Sequence, residues 1–372
     1  MEAPTGKVKK RFPNNFIESK NGYDVLKTAV IVGENAGGKS NFINGIKFLK
    51  SFFTSNAPVK TVHSYINTNS LIGNLDPVQS FAMMLLHDSN VIYSYSLSID
   101  KTGIVSEKLE KGFKRKGSVT EVFHITRDEN GKYSANKENS EKQLKTVLIN
   151  ANNSYGLFIT KLALLGDEDA QNVTDWFLNK LFPGAIQKDQ ESEIKKQEAD
   201  IEILKDSRYL EIFQMVDYSI CGIEVDMDKP YSKSIIIRKD ADGREFRREL
   251  QEDSTGVREF FSWAVQIYRV VVEDKIVLAD EMDRVLNPVL SDRVIAYING
   301  MDHYGQFIFS THNVLHLDLV RYMKEQIYFI TKDIDNLISE LYSLADFPEI
   351  RYNVSKVYEF YMKGILGGTA NE

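Results

Sequence analysis

VGENAGGKSNFINGIKFL, Val32 to Leu49, is the stretch on which the fold turns. It satisfies G-x-x-x-x-G-K-[ST] through Gly33, Gly38, Lys39 and Ser40. At average residue usage, a chain of this length shows that pattern by chance on the order of one time in a hundred. The flanks sharpen the match. Asp24 to Val32 is a short apolar run rich in β-branched residues, which reads as a buried strand. From Asn41 to Phe53, apolar residues recur at roughly helical spacing. Strand, glycine-rich loop and helix are the context in which the motif cradles phosphates, because backbone N–H groups converge there on the positive end of the helix dipole. The expected nucleotide-binding residues are therefore Gly33, Glu34, Asn35, Ala36, Gly37, Gly38, Lys39, Ser40 and Asn41. Lys39 would reach the β- and γ-phosphates, and Ser40 would offer its hydroxyl to Mg2+. A glycine-rich turn with a surface lysine is the plain alternative, and the flanking elements weigh against it.

A cradled triphosphate needs a carboxylate for its metal. KIVLADEMD, Lys275 to Asp283, has the required form, an apolar strand ending in Asp280 and Glu281. Ligands of α/β sheets sit at the carboxyl ends of strands, so Asp280 is the expected metal ligand and Glu281 the base that polarises the attacking water. QFIFSTHN repeats the arrangement and sets His312 just past another apolar run, where an imidazole can donate to the γ-phosphate. Asp253-Ser254-Thr255-Gly256 precedes the run VREFFSWAVQIY. A serine hydroxyl and a glycine amide there would make an anion site at a helix N-terminus; Ser254 or Thr255 would equally serve as a helix cap. Gln79 is either a metal-sensing glutamine or a polar strand residue.

Composition sets the bounds. A length of 372 residues allows two domains, or one large domain with an insertion. The net charge of −7 argues against a chain basic throughout, and leaves room for a local basic groove. The single cysteine, Cys221, excludes an intrachain disulfide, and its apolar context SICGIEV reads as a buried thiol. With no apolar run of membrane-spanning length and no signal-peptide pattern, a soluble cytoplasmic protein is expected.

Along the chain, Val78 to Leu109 reads as three strands of an antiparallel meander, with turns at His87–Asn90 and Asp100–Gly103. Residues 117–140 read as a further hairpin, turning at DENGK. Residues 141–210 are helical in character, including Val173 to Phe182 and a highly charged run from Gln187 to Ser207. Strands return at SICGIEVDM, SKSIIIRKD and FRREL, and the last part alternates strands with helices in a parallel-sheet pattern. The expected fold is α/β, a P-loop NTPase of ABC-ATPase type, its mixed sheet joined by an antiparallel β subdomain and a helical insertion. The expected division is 1–140 for an N-terminal ATPase lobe, 141–210 for the helical insertion and 211–372 for a C-terminal lobe.

Taken together, GENAGGKS, DSTGVREF, LADEMD and FSTHN resemble the ABC-type, SMC-like AAA-family ATPases, and more narrowly their OLD-like abortive-infection branch, with RloA-, AbiL- and PARIS-type anti-phage ATPases as the nearest relatives suggested. Asn35 and Asn41 match the G-x-N-x-x-G-K-S-N form frequent in that group, and the closing VYEFYMKGILGG resembles its tyrosine- and glycine-containing end. The resemblance implies ATP and Mg2+ as ligands and ATP-driven homodimers or higher oligomers. In these, Ser254, Thr255 and Gly256 form a signature that acts on nucleotide held by another copy, and Asp283 lies in a loop crossing the interface. Arg284 replaces what is often a small or polar residue there. The strand that relatives carry well before the cradle is not evident in the first 22 residues, so the chain begins upstream or that strand is divergent, and no adenine-stacking aromatic is assigned. Too few residues follow His312 for the nuclease domain of OLD-like proteins, which makes a separate effector, a nuclease or toxin, the expected partner. The alternative is an SMC- or RecF-like DNA-maintenance ATPase, with KGFKRKG (Lys111 to Gly117) and Arg238, Lys239, Arg244, Arg247 and Arg248 as its nucleic-acid contacts. A transporter ATPase is disfavoured by DSTG in place of LSGG.

Overall fold

The computed structural model describes residues 1–4, 6–54, 78–87, 91–100, 102–113, 117–135, 142, 145, 156–183, 200–284, 286–333, 335, 338–352 and 356–367. The chain opens with α1 (Lys7–Arg11), β1 (Phe16–Ile17), β2 (Val25–Leu26) and β3 (Thr28–Gly33), followed by α2 (Lys39–Thr54). Two expectations change here. The first 22 residues are not irregular, since Phe16 and Ile17 pair antiparallel with Leu26 and Val25. The run Asp24 to Val32 is two strands, broken at Lys27. That lysine is buried, and its ammonium donates to the carbonyls of Asn299 (3.2 Å) and Met301 (2.6 Å), which draws the residue out of the ladder.

The meander is as expected: β4 (Gln79–His87), β5 (Val91–Asp100), β6 (Gly103–Gly112), β7 (Val119–Arg127) and β8 (Tyr133–Ala135), each antiparallel to the next. Alternation along β5 buries Tyr93, Tyr95, Leu97 and Ile99 on one face. That face meets α2, where Phe53 stacks on Phe177 at 4.0 Å and lies edge-on to Tyr95 at 5.6 Å.

Next come α3 (Phe158–Leu164), α4 (Glu168–Asp175), a π-helical turn Trp176–Lys180 and β9 (Leu181–Pro183). Val173 to Phe182 is therefore not helical throughout. The helix ends in the π turn, Lys50 donates to the carbonyls of Leu178 and Leu181, and β9 leaves to pair with the main sheet. Of the charged run Gln187 to Ser207, the part up to 199 lies outside the described residues; residues 200–205 are helical. They lead to α5 (Ser207–Phe213), β10 (Ile220–Glu224), β11 (Ile235–Lys239) and β12 (Glu245–Glu249), a three-stranded antiparallel sheet. Cys221 is exposed, not buried as its context suggested. The register between β10 and β11 shifts between Ile220 and Gly222, and on this bulged edge strand the residue between them turns outward.

The remaining elements are α6 (Thr255–Val271), β13 (Ile276–Ala279), α7 (Pro288–Gly300), β14 (Gln306–Thr311), β15 (Ile327–Lys332), β16 (Ser339–Ser343) and α8 (Val357–Met362). The main sheet runs β16-β15-β3-β14-β13-β9, parallel except for the antiparallel edge strand β16. Because it is covered on both faces, β3 is buried at all six positions. Val277 and Ala279 of β13 join the core around α6 and α7, while Leu278 joins the core shared by α2, the meander, α3 and α4. The fold is that of a P-loop NTPase in ABC-type order. No described helix is long and apolar enough to cross a membrane.

One buried carboxylate joins the meander to the insertion. Glu107 of β6, fully buried, accepts from the backbone N–H groups of Phe158 (2.7 Å) and Ile159 (2.9 Å) at the start of α3 and from the Tyr95 hydroxyl (3.1 Å). Burial raises it from 4.5 to about 7, against the pull of those donors. The folded protein thus keeps a proton that the unfolded chain releases, and Glu107 makes stability fall as pH rises from 4.5 to about 7. Glu107→Gln should lower the melting temperature at pH 5 and flatten its slope between pH 5 and 7, read by thermal melts across that range.

Candidate functional site

The site is assembled by strand register. Val32 of β3 lies opposite Thr311 of β14, and Phe309 of β14 lies opposite Ala279 of β13. The carboxyl ends of the three parallel strands therefore open on one edge, with Gly33, His312 and Asp280 following in turn. Adjacent strands lie about 4.8 Å apart, so the loop after β3 and the acidic end of β13 are about 10 Å apart, with His312 between them.

The loop itself is tightly built. A Cβ on Gly33 would collide with the Ile330 main-chain carbonyl, which cannot yield. Gly38 has φ +116°, a conformation open to glycine, and Ala36 sits at φ +63°. The Lys39 ammonium folds back to the carbonyls of Gly33 (2.7 Å) and Glu34 (2.8 Å). Burial lowers its pKa, and the carboxylates of Asp280, Asp283, Glu281 and Glu34 oppose that shift. Glu34 is half-buried, and Asn35, Ala36, Ser40 and Asn41 are exposed at the mouth, whereas Gly37 is buried beneath.

The acidic pair is held by a residue that sequence reasoning passed over. Ser310, fully buried in β14, donates its hydroxyl to Asp280 Oδ1 (2.5 Å) and accepts from the Glu281 N–H (2.8 Å). Glu281 is exposed and adopts φ +50°, a left-handed conformation costly for a non-glycine residue and characteristic of functional sites. Arg284 lies 3.6 Å from its carboxylate. Asp283 accepts from the His312 N–H at 2.9 Å, tying the turn after β13 to the turn after β14 within one copy of the chain. His312 is exposed.

Just past His312 is a second histidine that was missed. His316 is buried, its Nδ1 lies 2.9 Å from the Tyr322 hydroxyl, and burial pushes it down to about 4, so it is neutral at pH 7. Its Nε2 and the side-chain nitrogen of Asn313 are buried without a hydrogen-bond partner. The four-residue spacing in HNVLH was the available signal.

Ser254, Thr255 and Gly256 stand exposed at the start of α6. Ser254 caps the helix, its hydroxyl 3.4 Å from the Val257 N–H, and a Cβ on Gly256 would meet nothing within 4 Å. Gln79 is the first residue of β4, and its side-chain oxygen is buried with no partner. The basic positions other than the exposed Arg248 are engaged. Lys111 pairs with Asp169 (2.5 Å), Arg238 with Asp217 (2.8 Å) and Asp253 (2.7 Å), Lys239 with Glu245 (3.6 Å), Arg244 with Asp242 (2.5 Å), and Arg247 with Glu224. Residues 114–116 of KGFKRKG lie outside the described residues.

Among the described residues no group of three or more His, Cys, Asp or Glu side chains is placed to hold a metal by itself. A Mg2+ ion that arrives on phosphates requires only one or two protein ligands. An exposed Ser40 hydroxyl and an Asp280 carboxylate oriented by Ser310 are oxygen donors of the kind it takes, whereas the oxygen of Gln79 is buried on β4, and no described contact joins it to either.

The family model described as "AAA domain, putative AbiEii toxin, Type IV TA system" matches residues 29–318. No curated protein matches the chain. Solved structures similar to it include the SMC head domain from Thermotoga maritima, 15% identical over 88% of this chain and 96% of that one, with a TM-score of 0.37. An SMC head bound to the C-winged helix domain of ScpA is 14% identical over 86% and 92%, with a TM-score of 0.49. The SMC head domain with an extended coiled coil from Pyrococcus furiosus, bound to the C-terminal domain of ScpA, is 14% identical over 88% and 94%, with a TM-score of 0.40.

Ser310→Ala should leave the Glu281 N–H without its acceptor and Asp280 without its donor. A loss of about 1–3 kcal/mol is expected, read as a lower denaturation midpoint in urea.

Proposed function

The chain belongs to the AAA-domain family whose model spans residues 29–318, and from that premise we propose that it binds ATP with Mg2+, hydrolyses it, and closes into a homodimer or higher homo-oligomer around it. The observation that carries this reading is the register that brings the cradle, Asp280 with Glu281, and His312 to one edge of a parallel sheet. Lys39 exchanges the carbonyls of Gly33 and Glu34 for β- and γ-phosphate oxygens. Ser40 and Asp280 hold Mg2+, with Gln79 as a further oxygen donor. Bound there, the ion would neutralise charge on the phosphate oxygens. Glu281 accepts a proton from the attacking water, and His312 donates to the γ-phosphate. Positioning and charge stabilisation supply the rate, as in phosphoryl transfer generally.

Ser254, Thr255 and Gly256 complete the γ-phosphate site of a second copy. Their exposure, and the open space in front of Gly256, support that role. Asp283, bound to the His312 N–H, reports the state of the γ-phosphate to the turn that meets the other copy.

In the cell we assign this ATPase to the OLD-like abortive-infection branch, as the cytoplasmic sensor and regulator of an anti-phage system that controls a separate effector nuclease or toxin. The family description, which couples an AAA domain to a toxin–antitoxin system, supports this over DNA maintenance. Pairing of Arg238, Lys239, Arg244 and Arg247 with neighbouring carboxylates also lowers the net positive charge of that sheet, with Arg248 the exposed exception.

Lys39→Ala should abolish ATP binding in calorimetry. Glu281→Gln should bind ATP normally, turn over about 10²–10⁴-fold more slowly, and elute as an ATP-dependent dimer in size-exclusion chromatography with light scattering. A Glu281→Gln variant that stays monomeric with saturating ATP would overturn the proposed dimerisation.

A further inference from the structure

An aspartate stands where an anion is meant to dock. On the proposed reading, Ser254, Thr255 and Gly256 meet the γ-phosphate held by another copy, and the residue directly before them is Asp253. A bare carboxylate one residue from such a site repels the phosphate, most strongly where the closing interface excludes water.

The Asp253 carboxylate is held at both oxygens. Its Oδ1 accepts from the Ser254 N–H at 2.9 Å, and its Oδ2 lies 2.7 Å from Nη1 of Arg238. Only 5% of the Asp253 side chain is exposed. Arg238 stands on β11, in a different sheet from the one that carries the cradle. It is itself anchored from behind. Its Nε donates to Asp217 Oδ2 at 2.8 Å, in the turn before β10, and Asp217 Oδ1 accepts from the N–H (3.0 Å) and hydroxyl (2.7 Å) of Ser219. A guanidinium serves two acids from one rigid plane, which the ammonium of a lysine cannot do. The main chain repeats the tie, since the Leu250 N–H donates to the Ser234 carbonyl (2.8 Å) and the Asp253 N–H to the Leu250 carbonyl (3.1 Å). The aspartate is thus paired toward β11, while Ser254, Thr255 and Gly256 stay exposed at the start of α6.

We propose that Arg238 is a positioning residue for the signature: it neutralises the Asp253 carboxylate and holds it back, so that the γ-phosphate of the other copy meets the donors of Ser254, Thr255 and Gly256. The inference rests on the proposed ATP-dependent dimer, and its test separates the two. The parent is the full-length chain carrying Glu281→Gln. Arg238→Gln, and Arg238→Gln together with Asp253→Asn, are added to it. Each protein is measured for ATP-dependent dimerisation by light scattering, and for ATP affinity at concentrations where it is monomeric. Arg238→Gln should weaken the dimer about tenfold and leave monomer ATP affinity within about twofold of the parent. Removing the carboxylate as well should bring the dimer back to within about threefold of the parent, because the uncompensated charge is gone. A contact that merely supports the fold would not be rescued by a second substitution. An Arg238→Gln dimer as tight as the parent's, a paired variant as weak as Arg238→Gln alone, or a loss of ATP affinity in step with the dimer overturns the role of Arg238 while dimerisation stands. A parent that stays monomeric with saturating ATP overturns both.

Discussion

Everything at the site depends on β3 being the buried central strand of a parallel sheet. Five of its six residues pair with β14 and four pair with β15, and no position reaches solvent. A strand so enclosed cannot slip by one residue without driving its side chains into the wrong core, because the side-chain period is two. Its carboxyl end, and with it the loop from Gly33 to Lys39, is therefore fixed relative to the ends of β14 and β13. Three loops follow three aligned strands, and Ser310 stitches two of them together.

The sheet is rigid, and the departures from relaxed geometry lie at its edge. Ala36 and Glu281, two of the three non-glycine residues with positive φ among those described, belong to the cradle and to the acidic turn. Such conformations cost of order 1–3 kcal/mol each and persist when their surroundings over-determine them. For Glu281 the surroundings are plain. Its N–H is held by a fully buried serine, and the turn behind it is anchored by Met282, also fully buried. The carboxylate is left exposed with Arg284 3.6 Å away, so the backbone carries the constraint.

The strand, loop and helix around Gly33 were legible because such a loop needs glycine where main chain approaches main chain, and Gly33 against Ile330 is such a place. The strands ending at Ala279 and Thr311 were legible from β-branched and aromatic runs, and the meander from its alternation. What stayed hidden depended on distant partners. Ser310 looks like any serine in a strand until its neighbour is known. Cys221 sits among apolar residues and still points outward, since a bulge in the β10–β11 ladder decides its side. Leu181–Pro183 continues a helical pattern, and becomes a strand because β13 offers an unpaired edge. Ser339 lies against Gly38 from some 300 residues farther along the chain, beyond any local pattern.

Glu107 is a mechanical tie between two parts of the chain. Its carboxylate belongs to the middle of the meander, and both oxygens grip the first turn of α3. The Tyr93 hydroxyl and the Lys111 ammonium add further ties from the meander to Asp169 of α4. Through the π turn the α3–α4 pair leads on to β9, the strand that flanks β13. The five-stranded sheet and the margin of the main sheet are thus joined by an unbroken run of hydrogen-bonded and packed elements.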